Sequence, residues 1–159
     1  MFRRLFSSLG KSTPSRVVRL GNSSPISFAL PNGCHHEAEG DKDCFIMPRV
    51  NDLNGPISLR MTHLRDHSGV ITDETLQREL LLRIQPDSEI HRFGKNLVSP
   101  LIREETAEDG TDWIYLHHMI TVGGHLCTAT VQIIKERRTE PQVAELRDML
   151  PAIFESMHS

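Results

Sequence analysis

A pair of glycines, Gly123-Gly124, separates two long stretches in which apolar and polar residues alternate, and no other feature constrains the fold as strongly. A two-residue glycine loop between such stretches predicts a β-hairpin with a primed turn, which fixes the residues that lie opposite each other. A shift of one residue would mix apolar and polar positions on each face, so the pattern also specifies the register. The pairs predicted on the largely apolar face are Ile120–Cys127, His118–Ala129, Leu116–Val131 and Ile114–Ile133.

The opposite face of the predicted hairpin combines aromatic, methionine and hydroxyl side chains. Aromatic residues and methionine are enriched at the centres of protein interfaces, so this face is a candidate binding surface. The alternating stretch 57–64 extends the same face if its strand pairs nearby. The alternative is that a helix covers this face too, in which case its residues form a second core layer. The predicted binding residues are Arg60, Thr62, Trp113, Tyr115, His117, Met119, Thr128 and Thr130.

The remaining pattern predicts further strands and two amphipathic helices. Short apolar or alternating runs at 26–30, 44–47, 57–64 and about 97–106 predict strands, whereas residues 34–43 are polar and predict a loop. The element order predicts an α+β fold: an antiparallel β-sheet of about six strands, with one main helix after the third strand and another at the C-terminus. The first helix has Thr72 as N-cap and ends at Pro86, with a buried stripe of Leu76, Leu80, Leu81 and Ile84. The second follows Thr139 with a kink or break at Pro151 and a buried stripe of Val143, Leu146, Leu150, Ile153 and Met157.

Charge is divided unevenly between the start of the chain and its remainder. Residues 1–36 contain five Lys and Arg and no acid, whereas residues 37–159 contain 13 Lys and Arg and 21 Asp and Glu. The net charge of −8 on the longer part repels phosphate backbones and predicts no binding to nucleic acid. We therefore divide the chain into a basic, flexible N-terminal segment, residues 1–23, and a single α+β domain, residues 24–159.

The N-terminal segment is compatible with three interpretations. Ser, Gly and Pro crowd residues 7–25, which is typical of a disordered tail ahead of a domain. The Arg- and Ser-rich, acid-free composition is also typical of a mitochondrial transit peptide. Helical spacing of apolar residues within 1–11 predicts weak contact with a membrane surface or a partner. No window approaches about 18 uninterrupted apolar residues, so the sequence predicts no integral membrane segment.

Cysteine and histidine residues are the remaining candidates for disulfide, metal-binding or catalytic roles. The three cysteines, Cys34, Cys44 and Cys127, are too few for a disulfide scaffold and favour a reducing, cytoplasmic environment. Cys34-His35-His36 with Cys44 supplies zinc-type ligands, but adjacent ligands diverge and the spacing matches no standard finger. The sequence contains no GxGxxG, Walker-type, HExxH or GxSxG motif. We therefore predict no metal, no cofactor, no catalytic residue and no enzymatic activity.

Five segments of the chain together resemble a known superfamily. They are ISFALPNG, ISLRMTHL, TDETLQRELLLRI, GTDWIYLHHMITVGGHLCTATVQII and the closing amphipathic helix, and they cover residues 24–158. Their order and pattern resemble the PsbP/DcrB-like superfamily, which includes the bacterial type VI effector-associated chaperones and a Ran-binding branch. Members often carry an aromatic residue after the first Pro-x-Gly turn, where this chain has Cys34. Because members are mainly non-enzymatic binding modules, the resemblance implies protein recognition, and it transfers no residue roles.

These observations predict a non-catalytic, cytoplasmic protein-binding module whose partner is another protein. The resemblance implies a chaperone or an immunity-type partner of a secreted toxin or effector. Two alternatives stay open at this point. One is an accessory protein imported into an organelle such as the mitochondrial matrix, which the composition of residues 1–24 supports. The other is a small enzyme that uses a His/Cys site, which only the histidine clusters support.

Overall fold

The structure, a computed structural model, describes residues 14–48, 57–66, 71 and 73–159. All strand pairs within these residues are antiparallel. The helices are α1 (Glu74–Ile84) and α2 (Pro141–Ser156), and a short 3₁₀ helix spans Lys135–Arg137. The strands are β1 (Ser15–Arg19), β2 (Ser27–Pro31), β3 (His35–Ala38), β4 (Asp43–Met47), β5 (Ser58–Asp66), β6 (His91–Phe93), β7 (Asn96–Thr106), β8 (Asp112–Val122) and β9 (His125–Ile134).

Seven strands form one sheet in the order β3-β4-β5-β9-β8-β7-β6, while β1 and β2 form a separate two-stranded sheet. This arrangement confirms the predicted α+β class with an antiparallel sheet, a helix after β5 and a helix at the C-terminus. The described residues contain more strands than the six or so predicted. The additional strands β3 and β6 have only four and three residues, too few for alternation to be recognised, and β1 lies within the Ser-, Gly- and Pro-rich start of the chain. Strand β3 lies within the predicted loop 34–43.

The predicted glycine hairpin is confirmed with its register. Strands β8 and β9 pair from Trp113 opposite Ile134 to Val122 opposite His125, and every pair predicted from the sequence is present. Of the two loop glycines only Gly123 has a positive φ, 58°, which is what a type II′ turn requires at its first central position. The turn therefore brings the two strands together in the register that the alternation favours.

The main hydrophobic core lies between the apolar face of the hairpin, helix α2 and the β1–β2 sheet. All five residues of the stripe predicted on the C-terminal helix are buried, from Val143 to Met157. Helix α2 is not interrupted at Pro151, so the predicted break does not occur. Within the described ranges, neither helix is long and apolar enough to cross a bilayer.

Helix α1 needs two corrections. Its N-cap is Asp73 rather than Thr72, because the Asp73 carboxylate accepts hydrogen bonds from the Thr75 and Leu76 N–H groups at 2.8 and 3.4 Å. Its buried face also differs from the predicted stripe: Leu76 is 46% exposed and Ile84 is 41% exposed. Leu81 is buried as predicted, and Gln77, which was not predicted, is buried beside it. The Gln77 amide donates to the carbonyl oxygens of Gly123 (3.0 Å) and Ile71 (3.3 Å) and accepts from the Thr121 hydroxyl (3.2 Å).

The predicted boundary between a flexible segment, residues 1–23, and the domain also needs correction. Strand β1 pairs with β2 along its whole length, and Leu20 is completely buried. The Arg16 guanidinium donates to the carbonyl oxygens of Pro31 (3.3 Å) and Cys34 (2.6 Å), which joins β1 to the turn after β2. Residues 15–20 are folded because β1 pairs with the edge of β2 and Leu20 packs in the core. Residues 1–13 lie outside the described residues. The interpretations of these residues as a disordered tail, a membrane-contact helix or a targeting segment therefore concern a part of the chain that the structure does not describe.

Candidate functional site

The eight predicted binding residues lie on one face of the large sheet. Trp113, Tyr115, His117 and Met119 are alternate residues of β8 and therefore point to the same side. Thr130 lies opposite His117 in β9, and Arg60 of β5 lies opposite Thr130. In the next row, Thr128 of β9 lies opposite Met119, and Thr62 of β5 lies opposite Thr128. We call this surface the ladder face, comprising Arg60, Thr62, Trp113, Tyr115, His117, Met119, Thr128 and Thr130.

Three aromatic rings are stacked along β8 on the ladder face. The centroids of Trp113 and Tyr115 are 6.4 Å apart with 24° between the planes, and those of Tyr115 and His117 are 5.7 Å apart with 8° between the planes. The His117 ring also forms a hydrogen bond of 2.9 Å between Nδ1 and the Thr130 hydroxyl. Stacking and hydrogen bonding hold the rings in one orientation.

Two residues of β7 belong to this surface, although the sequence analysis did not single them out. The Arg103 guanidinium lies 5.5 Å from the centroid of the Tyr115 ring, within cation–π distance. Leu101 lies opposite His117 and is 48% exposed. The pairing of β7 with β8 places both, and extension of the predicted hairpin register to the preceding strand would have identified them.

Helix α1 covers only one end of the ladder face. Leu81 of α1 packs with Leu97 and Leu126 in a second, smaller core, against which Met119 packs in part. At the other end Trp113 and Tyr115 are half-buried, and the Arg60 side chain is 59% exposed. The alternative of a covering helix therefore applies near Met119, while the rings farther along β8 remain accessible.

The charged groups around the stacked rings are paired with one another. Arg60 forms an ion pair of 2.5 Å with Glu39, and Arg103 forms one of 3.0 Å with Glu105. Desolvation by burial and, secondarily, the charge of Arg103 lower the pKa of His117, so this ring is neutral at neutral pH. A half-buried aromatic centre bordered by paired charges is the distribution found in protein interfaces, which have an apolar centre and a polar rim.

The cysteine thiols are poorly suited to nucleophilic catalysis. Burial, as the main cause, raises the pKa of Cys44 to about 12 and that of Cys127 to about 12. Desolvation also raises the pKa of Cys34. A nucleophilic cysteine needs a lowered pKa and an accessible position, and the environments of these thiols have the opposite effect.

The polar groups of the Cys34–Cys44 segment point in different directions. The Cys34 thiol contacts the sulfur of Met149 at 3.5 Å, while Cys44 lies fully buried in the main core. The His36 Nε2 donates to the Arg19 carbonyl oxygen at 3.0 Å. In the described part of the chain, no three His, Cys, Asp or Glu side chains are placed to hold one metal ion.

We expect chelator treatment to leave the thermal unfolding midpoint unchanged. A structural zinc ion contributes on the order of 10 kcal/mol to folding, so its removal would produce a large shift. Differential scanning fluorimetry with and without EDTA, combined with metal analysis of the purified protein, measures this directly. Stoichiometric zinc together with a large fall in the midpoint would contradict the prediction.

A buried chain of three polar side chains was not predicted from the sequence. Ser24 Oγ lies 3.2 Å from Nδ1 of His63, whose Nε2 lies 3.1 Å from Nδ1 of His125. The contact between Ser24 and His63 has the distance of a nucleophile–base pair, but these side chains are only 2% and 4% exposed. Ser24 also accepts a hydrogen bond from the Ile26 N–H group, so the described contacts fit a role in joining the segment between β1 and β2 to β5 and β9.

Known structures share this fold at low sequence identity, whereas no protein-family profile and no curated protein sequence matches the chain. A Bacteroides thetaiotaomicron VPI-5482 protein aligns with 87% of the chain at 12% identity and a TM-score of 0.58, and the chain spans 48% of it, about half its length. LpqN of Mycobacterium tuberculosis, described as involved in cell envelope biogenesis, aligns with 91% of the chain and 90% of its own length, at 12% identity and a TM-score of 0.52.

A third solved structure, cyanobacterial PsbP from Synechocystis sp. PCC 6803, aligns with 94% of each chain at 13% identity and a TM-score of 0.36. The structural neighbours thus include a PsbP. The DcrB-like and Ran-binding branches of the resemblance stay predictions. The chain therefore has an α+β fold that it shares with LpqN and with the Bacteroides protein.

Proposed function

We propose that this protein is a non-catalytic accessory protein that binds another protein through the ladder face. The observation that carries this proposal is the stack of Trp113, Tyr115 and His117 on the part of the sheet that α1 leaves uncovered. Ordered aromatic rings at the centre of a surface supply apolar contact area at little cost in conformational entropy. The other predicted binding residues, with Arg103 and Leu101, complete that surface.

The surface also indicates the chemistry of the partner. Arg60 and Arg103 are already paired with acids, so the surface presents apolar and aromatic area rather than unpaired charge. A partner with an apolar centre and a polar rim complements it. A cytoplasmic chaperone or an immunity-type partner of a secreted effector is the finer form of this proposal, and the superfamily resemblance supports it. An accessory role is compatible with the fold shared with LpqN.

Substitution Tyr115→Ala is expected to weaken partner binding by about 2 kcal/mol, which is roughly 30-fold in Kd. The ring is the middle member of the stack, so its loss also removes the contacts that orient Trp113 and His117. Tyr115→Phe keeps the stack and should bind within a few-fold of wild type. The measurement is affinity capture from the native host with wild type and Tyr115→Ala in parallel, followed by titration calorimetry with the purified partner.

The matched control is Ile102→Ala, on the adjacent strand. Ile102 is 68% exposed, and the alternation along β7 directs it to the opposite face of the sheet from the ladder face. This variant should bind the partner with unchanged affinity. If Tyr115→Ala retains wild-type affinity for the captured partner, or if Ile102→Ala loses as much, the ladder face is not the binding surface.

A further inference from the structure

An open cavity of about 210 Å³ lies on the other side of the sheet, between α2 and strands β6, β7 and β8. Two phenylalanine rings line it: Phe93 and Phe154 meet edge to face with centroids 5.5 Å apart. The His118 ring lies 5.1 Å from Phe154 and continues this aromatic wall. The cavity thus offers a ligand aromatic faces and edges and does not belong to the ladder face.

Every ionisable side chain that lines this cavity is basic. They are His91, His118 and Arg147, and no carboxylate is among the lining residues. The Nε2 atom of His91 lies 3.6 Å from a carboxylate oxygen of Glu89. Arg147 is exposed on α2 and makes no ion pair within the described part of the chain. An exposed guanidinium that makes no ion pair among the described residues, at the edge of an aromatic cavity, favours an anionic ligand.

The Nδ1–H of His118 donates to the Ala129 carbonyl oxygen at 3.1 Å, which fixes the orientation of the ring in the wall. Desolvation by burial lowers the pKa of His118, so at neutral pH this residue contributes an aromatic surface rather than a charge. Arg147, an exposed residue at the edge of the cavity, is the lining side chain that is always charged. An apolar interior with one cationic group at the rim matches a ligand that is apolar at one end and anionic at the other.

We propose that this cavity binds a small aromatic carboxylate, with its ring against Phe93, Phe154 and His118 and its carboxylate paired with Arg147. The volume is sufficient, since a cavity of roughly 150 Å³ accommodates benzene. Ring–ring contacts supply affinity for the apolar part, and the planar guanidinium matches the planar carboxylate in a bidentate pair. The site is separate from the partner surface, so either proposal stands or fails without the other.

The test uses 4-fluorobenzoate as probe and 4-fluorobenzamide as its neutral counterpart, with binding to the full chain followed by ¹⁹F NMR. We expect 4-fluorobenzoate to bind at least about tenfold more tightly than the amide, because only the acid forms the charge-assisted pair. Arg147→Ala should weaken 4-fluorobenzoate binding by a similar factor and leave binding of the amide unchanged. Arg147→Lys should restore part of the affinity, because it keeps the charge but not the bidentate geometry.

The matched control is Arg103→Ala, which removes an exposed arginine from the ladder face and should not affect the probe. Arg147 is an exposed helix residue, so the thermal midpoint of Arg147→Ala should equal that of wild type. The proposal is wrong if 4-fluorobenzoate does not bind the wild-type protein, if the amide binds equally well, or if Arg147→Ala and Arg103→Ala have the same effect.

Discussion

Removal of residues 1–22 is expected to lower the free energy of unfolding by more than about 3 kcal/mol, or to leave the domain unfolded. The deletion removes β1, which is the only partner of β2 within a sheet among the described residues, and it removes the fully buried Leu20. It also removes the backbone N–H of Asn22, which donates to the Gly40 carbonyl oxygen at 2.9 Å. Urea denaturation followed by circular dichroism measures the loss.

Two point variants test whether the packing of residues 14–22 accounts for this loss. Leu20→Ala should cost about 2–5 kcal/mol, because it leaves a cavity in the main core. Val17→Ala should cost less than about 1 kcal/mol, since Val17 is 67% exposed on the same segment. A deletion variant as stable as wild type, with Leu20→Ala unaffected, would return residues 14–22 to the flexible segment predicted from the sequence.

Substitution Ile120→Ala is expected to cost about 2–5 kcal/mol, whereas Leu116→Ala, four residues earlier on the same face of β8, should cost only about 1–2 kcal/mol. From the alternation alone, both residues belong to the apolar face, and their truncation would lower the free energy of unfolding equally. In the structure Ile120 is completely buried between Val98 and Cys127, but Leu116 is half-buried. A truncation costs less where solvent already reaches the side chain, because part of the apolar area is exposed before the substitution.

The difference between these two variants reports how far α2 extends along the sheet. Ile102, the β7 neighbour of Leu116, is 68% exposed, so the core ends near this position. Chemical denaturation of both variants gives the two free energies directly. Equal costs would mean that the Leu116 end is as well covered as the Ile120 end, which contradicts the described packing.

The buried face of helix α1 does not follow from the periodicity of its apolar residues. Leucine is an obvious candidate for a buried stripe, yet Leu76 is 46% exposed and Gln77 is buried. The amide of Gln77 satisfies the Gly123 carbonyl oxygen and the Thr121 hydroxyl, and burial of these groups without a partner would be costly. The rotation of a helix about its axis therefore depends on which polar groups the sheet presents, and a single-segment pattern does not contain that information.

The sequence by itself determined the hairpin register, the common face of the six predicted binding residues on β8 and β9, and the α+β class; the pairing of β5 with β9 added Arg60 and Thr62. These features follow from short-range rules, because the glycine turn fixes the pairing and alternation fixes the side to which each side chain points. Tertiary structure alone decided that β1 joins the domain, that α1 covers only the Met119 end of the ladder face, and that Arg147 stands beside an aromatic cavity. Each of these depends on segments distant in sequence meeting in space, where burial and unpaired polar groups, rather than local pattern, select the arrangement.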